Sequence, residues 1–179
     1  MSTMTTINEI VTLGQKAYTF IQGSSGITYE QPEEVHAIPA GATLDDLTRW
    51  GGPNTIRGFH AVRVEGKSVL DHTASDIIYA IKWRPLGCMA KGPLTGKGNF
   101  ISGARVVLEK ADIHRDNVVD MHVTFYDAVR RGTSKNPTSE LPVDVRIHEK
   151  SRWSTNSITR TYSYVLLGSG HAWQSSVTG

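Results

Sequence analysis

Hydrophobic and polar residues alternate most regularly between Val118 and Asp127. In an extended chain the apolar members would lie on one side and the polar members on the other: Val119, Met121, Val123 and Phe125 against Asp120, His122, Thr124 and Tyr126. A period of two residues is typical of a half-buried β-strand. We therefore predict that this segment is the centre of an antiparallel sheet, with its apolar side in the core.

Similar strand-like runs lie before and after this segment: Ile56–Glu65, Ile77–Trp83, Ile101–Lys110, Val143–Glu149 and Ile158–Leu167. They do not alternate with helical patterns, and short strands separated by turn residues are typical of sandwiches and barrels. We predict a mainly β fold, an antiparallel β-sandwich or barrel of about six to eight strands. The last four strands are expected to form a meander, and 84–99 and 130–142 are expected to be long loops.

Two helices are predicted ahead of the strands. The residues from Thr6 to Ile21 place apolar side chains at three- and four-residue spacing, and Thr6 with Glu9 forms a capping-box pattern. This segment is therefore expected to be an amphipathic helix that packs on its own sheet or on a neighbouring subunit, although 18–21 also suits a strand. A shorter helix is expected from Thr43 to Trp50.

The length of 179 residues predicts a single domain, 1–179. We divide it into an N-terminal helical segment (1–22), a β core (55–167) and a C-terminal tail (168–179). The net charge is +2 and Cys88 is the one cysteine, so a disulfide framework within the chain is excluded. No apolar run approaches the ~18 residues of a membrane span, and the first ten residues do not resemble a signal peptide. We expect a protein made in the cytoplasm without a membrane partner.

Motifs for phosphate binding or nucleophilic catalysis are incomplete. Gly66-Lys67-Ser68 lacks the upstream glycine of a phosphate loop, and Gly92–Gly98 has the wrong spacing and no serine or threonine after its lysine. Cys88 has a lysine nearby but no histidine or acid that the sequence can assign to it. We therefore predict no catalytic residue and no cofactor.

One arrangement could hold a metal. Asp120 and His122 lie on the polar side of the central strand, and His148 is expected on the neighbouring strand. Two histidines and a carboxylate can bind a divalent metal. The spacing is poor for ligands, however, and cross-strand ion pairs or a solvated face explain the same residues. We predict no metal and keep a metal-dependent enzyme as an alternative.

Basic residues lie among large aromatic ones in several places, and these residues are our candidates for an interface: Trp83, Arg84, Arg130, Arg131, Trp153, Arg160 and Trp173. Such a surface suits nucleic acid, which needs charge neutralisation and stacking, and equally suits a protein interface, where Trp, Tyr and Arg dominate. The small net charge favours the protein interface. The alternative for Trp173 is that it folds back onto its own sheet.

These patterns predict a non-enzymatic structural subunit that assembles with copies of itself, such as a capsid or tail protein of a virus or phage. Its partners would be further copies and other virion proteins, and it would be incorporated in a virion after synthesis. The alternative is a β-barrel that binds nucleic acid or a small ligand through its Trp/Arg/Lys surface.

Overall fold

The computed structural model describes residues 5–14, 18–22, 27–32, 34–65, 72–113, 117–152 and 155–179, with the backbone alone for 18–22, 31, 62–65 and 72–74. The described chain is mainly β. Its strands are β1 (Ile10–Gly14), β2 (Tyr18–Gln22), β3 (Ile27–Pro32), β4 (Val35–Pro39), β5 (Leu47–Thr48), β6 (Asn54–Glu65), β7 (His72–Met89), β8 (Phe100–Ile113), β9 (Asn117–Phe125), β10 (Val129–Thr133), β11 (Asn136–Ser151), β12 (Ser157–Leu167) and β13 (Ala172–Thr178).

The strands form two sheets, one of which curves into a half-barrel. The first sheet has the order β1-β4-β8-β7-β5, and β6 also pairs with β7. The second has the order β13-β12-β11-β9-β3-β2, and β10 also pairs with β11. Strands β3 and β9 run parallel, whereas the other strand pairs within the two described sheets are antiparallel. The predicted mainly β fold is thereby confirmed, but the described chain has thirteen strands rather than about six to eight, because several strands are short and polar and show no apolar row.

The apolar side of the central strand lies in the core, as its alternation predicts. Val119, Met121 and Val123 of β9 are at most 1% exposed, and Phe125 at the end of the strand is half-buried. The neighbouring strands β11 and β12 contribute their inward rows to the same core in the same way: Leu141, Val143, Val145 and Ile147, with Tyr162, Tyr164 and Leu166. The core therefore consists of alternate residues from two sets of strands.

The predicted N-terminal helix from Thr6 to Ile21 is wrong. The described part of this segment contains β1 and β2 instead of a helix, residues 6–9 belong to no regular element, and β1 pairs residue for residue with β4. Ile7 and Ile10 are buried, so these two predicted apolar positions do face the core, although the helical period assigned to them is wrong. The residues of β1 include isoleucine, valine and threonine, whose branched side chains favour strands once a partner strand is available. A helix free to pack on a neighbouring subunit is therefore excluded here.

The second predicted helix, Thr43 to Trp50, is limited to one 3-10 turn at Leu44–Asp46. Its cap is present, because the Thr43 N–H donates to the Asp46 carboxylate at 2.9 Å. The chain then becomes extended, and β5 pairs with the end of β7 at Cys88 and Met89. No helix in the described part of the chain is long and apolar enough to cross a membrane.

Both predicted long loops contain strand. The segment 84–99 includes the end of β7, and 130–142 is a hairpin in which Val129–Thr133 pairs with Asn136–Glu140. The hairpin residues are mostly polar, and four of the five residues of β10 are exposed. The sequence therefore has no alternating apolar row that would have predicted this strand. The predicted meander is correct for β9, β11 and β12, which are neighbours, but β8 belongs to the other sheet.

Candidate functional site

A buried carboxylate on β11 lies at the centre of a polar cluster between the two sheets. Glu149 has 0% exposure, and its two oxygens accept hydrogen bonds from three side chains. Ser75 Oγ donates at 2.5 Å, Asn117 Nδ2 donates at 2.7 Å, and His60 Nε2 lies 3.3 Å away. These donors come from β7, β9 and β6, so one carboxylate connects both sheets.

His60 extends the cluster towards the tyrosines of β12. Its Nδ1 lies 2.9 Å from the Tyr162 hydroxyl, and the two rings meet edge to face. When Nε2 carries a proton it donates to Glu149, and Nδ1 then accepts from Tyr162 or, in a protonated ring, donates to it. A second pair of hydroxyls, Tyr79 and Tyr164, is 2.7 Å apart beside the first. The polar atoms of His60 are therefore satisfied although its side chain is fully buried.

The cluster keeps Glu149 ionised. Burial alone would raise the pKa of this carboxyl, but the hydrogen bonds from His60, Ser75 and Asn117 outweigh it, and the pKa lies below its ordinary value. The buried phenol of Tyr79 responds in the opposite sense, since burial raises its pKa and keeps it neutral. The cluster thus combines one buried negative charge with neutral hydroxyl and amide groups.

The cluster contains serine, histidine and glutamate, but its geometry is not that of a hydrolase. Ser75 donates to Glu149 rather than to His60, so the histidine is not placed to activate the serine hydroxyl. Ser75, His60 and Glu149 are each at most 2% exposed, which leaves a substrate no route to them. The arrangement is suited to holding two sheets together in one register.

The predicted metal residues lie side by side but do not form a ligand set. Asp120 pairs with His148 across β9 and β11, as the sequence predicted, and a shallow hollow of about 230 Å³ lies above them. His122 Nδ1 contacts Glu30 at 3.0 Å, and His148 Nδ1 contacts Thr159 at 2.8 Å. Among the described residues, no three histidine, cysteine or acidic side chains are arranged to hold a metal ion.

The remaining catalytic candidates have ordinary structural roles. Cys88 is 5% exposed, with its sulfur 3.5 Å from the Thr48 carbonyl oxygen. The glycine-rich segment forms tight turns, in which the N–H of Thr95 bonds to Gly92 and that of Gly96 to Met89. A strand follows these turns, whereas a phosphate loop opens a helix. Gly66-Lys67-Ser68 lies outside the described residues.

The predicted interface residues have different environments. Trp83 is 3% exposed and belongs to the core, so its indole is not available as an anchor on the surface. Arg84 is exposed and Arg160 is half-exposed on the second sheet. Arg130 is half-buried on β10. Trp153 lies outside the described residues.

Two of the predicted interface residues, Arg131 and Trp173, lie beside each other on the surface. They line an open hollow of about 460 Å³ together with Glu140 and Leu167. Both oxygens of Glu140 accept hydrogen bonds from the Arg131 guanidinium, which fixes one wall of the hollow. Trp173 forms another part of the wall and is 43% exposed. The structure therefore brings one predicted arginine and one predicted tryptophan together.

Trp173 belongs to β13, at the open end of the second sheet. The predicted C-terminal tail is a strand over Ala172–Thr178, and among the described strands it pairs with β12 alone. All its residues after Ala172 are exposed, and Val177 is 52% exposed. The outer edge of β13 therefore presents backbone groups and uncharged side chains to solvent.

Comparisons with family models, curated proteins and solved structures give no match to this chain. The function is therefore inferred from the geometry. Sequence reasoning missed the Glu149 cluster and the strand character of 172–178. The buried position of Glu149 could have been predicted from the alternation along the strand, because Glu149 follows Val145 and Ile147 at the next inward position.

Proposed function

We propose that this protein is a non-enzymatic structural subunit that assembles with copies of itself, as capsid and tail proteins of viruses and phages do. The observation that carries the proposal is the open edge at β13. An edge strand has a row of backbone N–H and C=O groups that can pair with another chain. A strand from a second copy would satisfy these groups and extend the second sheet across the interface.

The composition of β13 supports this role. Soluble proteins usually protect an edge strand with charged residues, proline or a covering loop. The seven residues of β13, AWQSSVT, include neither a charge nor a proline. Two copies of β13 can therefore approach each other without charge repulsion. Antiparallel pairing of identical strands would place them about a two-fold axis, which is the commonest symmetry of protein dimers.

The side chains of β13 supply apolar contacts for such an interface. Trp173 and Val177 are 43% and 52% exposed, so both side chains are accessible to a partner chain. Tryptophan and arginine are common anchors of protein interfaces, and the hollow beside Trp173 also contains Arg131. A residue of the second copy that filled this hollow would bury both.

The oligomeric state of two matched variants tests the proposal. We expect the wild-type protein to elute as a defined oligomer in size-exclusion chromatography with light scattering. Replacing Trp173 and Val177 together by lysine should reduce the mass to that of a folded monomer, because like charges would face each other across the paired strands. The control is Leu44→Lys, which changes an apolar residue that is 38% exposed on the 3-10 turn, and it should leave the oligomer intact.

A truncation provides an independent result. The deletion should begin at residue 172, because Gly168 is buried and its N–H donates to the Ser139 carbonyl oxygen at 2.8 Å. Removal of 172–179 should abolish assembly while circular dichroism still reports a folded β protein. A monomeric wild type, or an oligomer that survives both changes, would contradict the proposal. Negative-stain electron microscopy of the wild type tests the virion class, which requires closed shells or tubes.

A further inference from the structure

A glycine bulge lies on β8 at the outer face of the first sheet. Lys82 of β7 pairs with Arg105 of β8, but Arg84 pairs with Ser102, so the two β8 residues 103–104 face one residue of β7. The first of them is Gly103, at φ +60. This left-handed backbone is the one that a glycine bulge requires. Bulges often occur beside functional sites, where they redirect neighbouring side chains.

The bulge is supported from the other neighbouring strand. The pairing of β4 with β8 slips at the same place, and His36 Nδ1 accepts a hydrogen bond from the Gly103 N–H at 3.1 Å. Burial lowers the pKa of His36 despite the opposing charge of Glu34, so the ring is neutral and able to accept. The side chain of His36 therefore replaces a ladder bond that the bulge removes.

A hollow with an excess of positive charge lies beside the bulge and is lined in part by Gly103. The hollow has a volume of about 430 Å³, and its ionisable side chains are Lys82, Arg84, Arg105 and Glu34. Glu34 binds Arg105 at 2.7 Å. In the described part of the chain, Lys82 and Arg84 form no ion pair. One carboxylate thus faces three cations.

Neighbouring cations in the same sheet are arranged differently. Arg57 of β6 binds Glu109 at 2.9 Å, and Lys110 of β8 binds Asp76 at 2.5 Å. Like charges directly opposite each other on paired strands are destabilising, yet Lys82 and Arg105 occupy such positions. Among the described residues, Lys82 and Arg84 therefore lie beside the bulge without a carboxylate partner of their own. An anionic ligand bound in the hollow would neutralise their charges.

We propose that this hollow binds a phosphate group, either of a small phosphate compound or of a nucleic-acid backbone. Arg84 supplies a planar guanidinium that can contact two phosphate oxygens, and Lys82 supplies a mobile point charge. The Arg105–Glu34 pair also lines the hollow, where Glu34 already neutralises Arg105. Several such phosphate contacts along a strand would make the affinity dependent on salt.

Binding measurements with two probes test the proposal. Calorimetry with inorganic pyrophosphate and fluorescence anisotropy with a labelled single-stranded oligonucleotide should be run on the wild type at low salt. Replacing Lys82 and Arg84 together by glutamine should weaken binding by about tenfold or more, since charged hydrogen bonds are lost. The control is Arg57→Gln, which removes a single positive charge from the neighbouring strand β6. Glu109 already neutralises that charge, so the affinity should stay within about twofold of the wild-type value.

The pattern of results decides both the site and its source of phosphate. Binding of pyrophosphate alone would support a site for small phosphates. Binding of both probes, with pyrophosphate competing and with a shallower salt dependence in the Lys82/Arg84 variant, would support a nucleic-acid contact. Failure to bind either probe, or an equal loss in the Arg57 variant, would overturn the proposal. No residue of β13 lines the hollow. The binding measurements therefore test the phosphate site separately from the proposed assembly through β13.

Discussion

A single residue, Glu149, shows how a buried charge can serve a structural purpose. Its carboxylate lies at 0% exposure, and each of its hydrogen-bond donors comes from a different strand. A buried charge is costly unless its partners satisfy it, so the cluster is stable in one arrangement of the strands. We infer that Glu149 specifies how the two sheets are aligned more than it adds to the net stability of the fold.

Removal of this carboxylate should be severe. Glu149→Ala would leave the donors on His60, Ser75 and Asn117 buried and without an acceptor, and breaking a buried charge pair costs about 3–5 kcal/mol. Urea denaturation measures the loss. The matched control is Glu109→Ala, which removes a partly exposed carboxylate paired with Arg57 and should cost less than about 1 kcal/mol. Equal losses in the two variants would show that the cluster has no special role.

The same residue predicts how stability depends on pH. The pKa of Glu149 in the folded protein lies below the ordinary value of 4.5. Its contribution to the free energy of unfolding is therefore complete above that ordinary value and is lost as the pH falls through the lower folded-state pKa. The difference in stability between the wild type and Glu149→Gln, followed by urea denaturation from about pH 7 to about pH 3, should shrink in acid. A difference that does not change with pH would contradict the assignment.

At the scale of elements, the alternation of apolar and polar residues predicted the strands that have one buried side, and it missed short strands and strands without a buried side. The rows on β9, β11 and β12 could be derived from the sequence because one side of each strand is apolar and the other polar. The segment from Thr6 to Ile21 was assigned to a helix because its apolar residues recur at three- and four-residue spacing, whereas the described part of that segment contains β1 and β2. Strands of five residues are too short to show a period of two against that spacing. The hairpin of β10 was missed because it has no buried row. The Arg131–Trp173 hollow depends on strand order, which no local pattern contains.

The pairing of β6 with β7 gives a test at this scale. Gly58 of β6 lies over the ring of Tyr79, and an added Cβ would be 2.2 Å from that ring. Gly58→Ala should therefore cost about 1–3 kcal/mol through overpacking. Gly52→Ala is the control, because an added Cβ there meets nothing within 4 Å. Thermal denaturation of both variants measures the effect. No difference between them would mean that Tyr79 can move aside freely.

At the scale of the whole molecule, the two sheets are joined by backbone as well as side chains. Asn99 of the first sheet's connecting turn pairs with Thr138 of the second, and the N–H of Leu86 donates to the Gly168 carbonyl oxygen at 2.7 Å. An added Cβ at Gly168 would lie 1.9 Å from the Asn99 carbonyl oxygen, so glycine is required for this approach. The sheets are thus fixed to each other at one end by main-chain contacts.

The parallel pair β3–β9 has a consequence for how the chain reaches this fold. Ile27 pairs with Val119, so the second sheet cannot close until residues far apart in the sequence have met. Pairings of such long separation slow folding, because the entropy of closing the intervening loop is lost before the contact forms. During synthesis, β2 and β3 leave the ribosome well before their partner strand exists. The nascent chain must therefore keep an early pair of strands unattached while most of the first sheet is still being made.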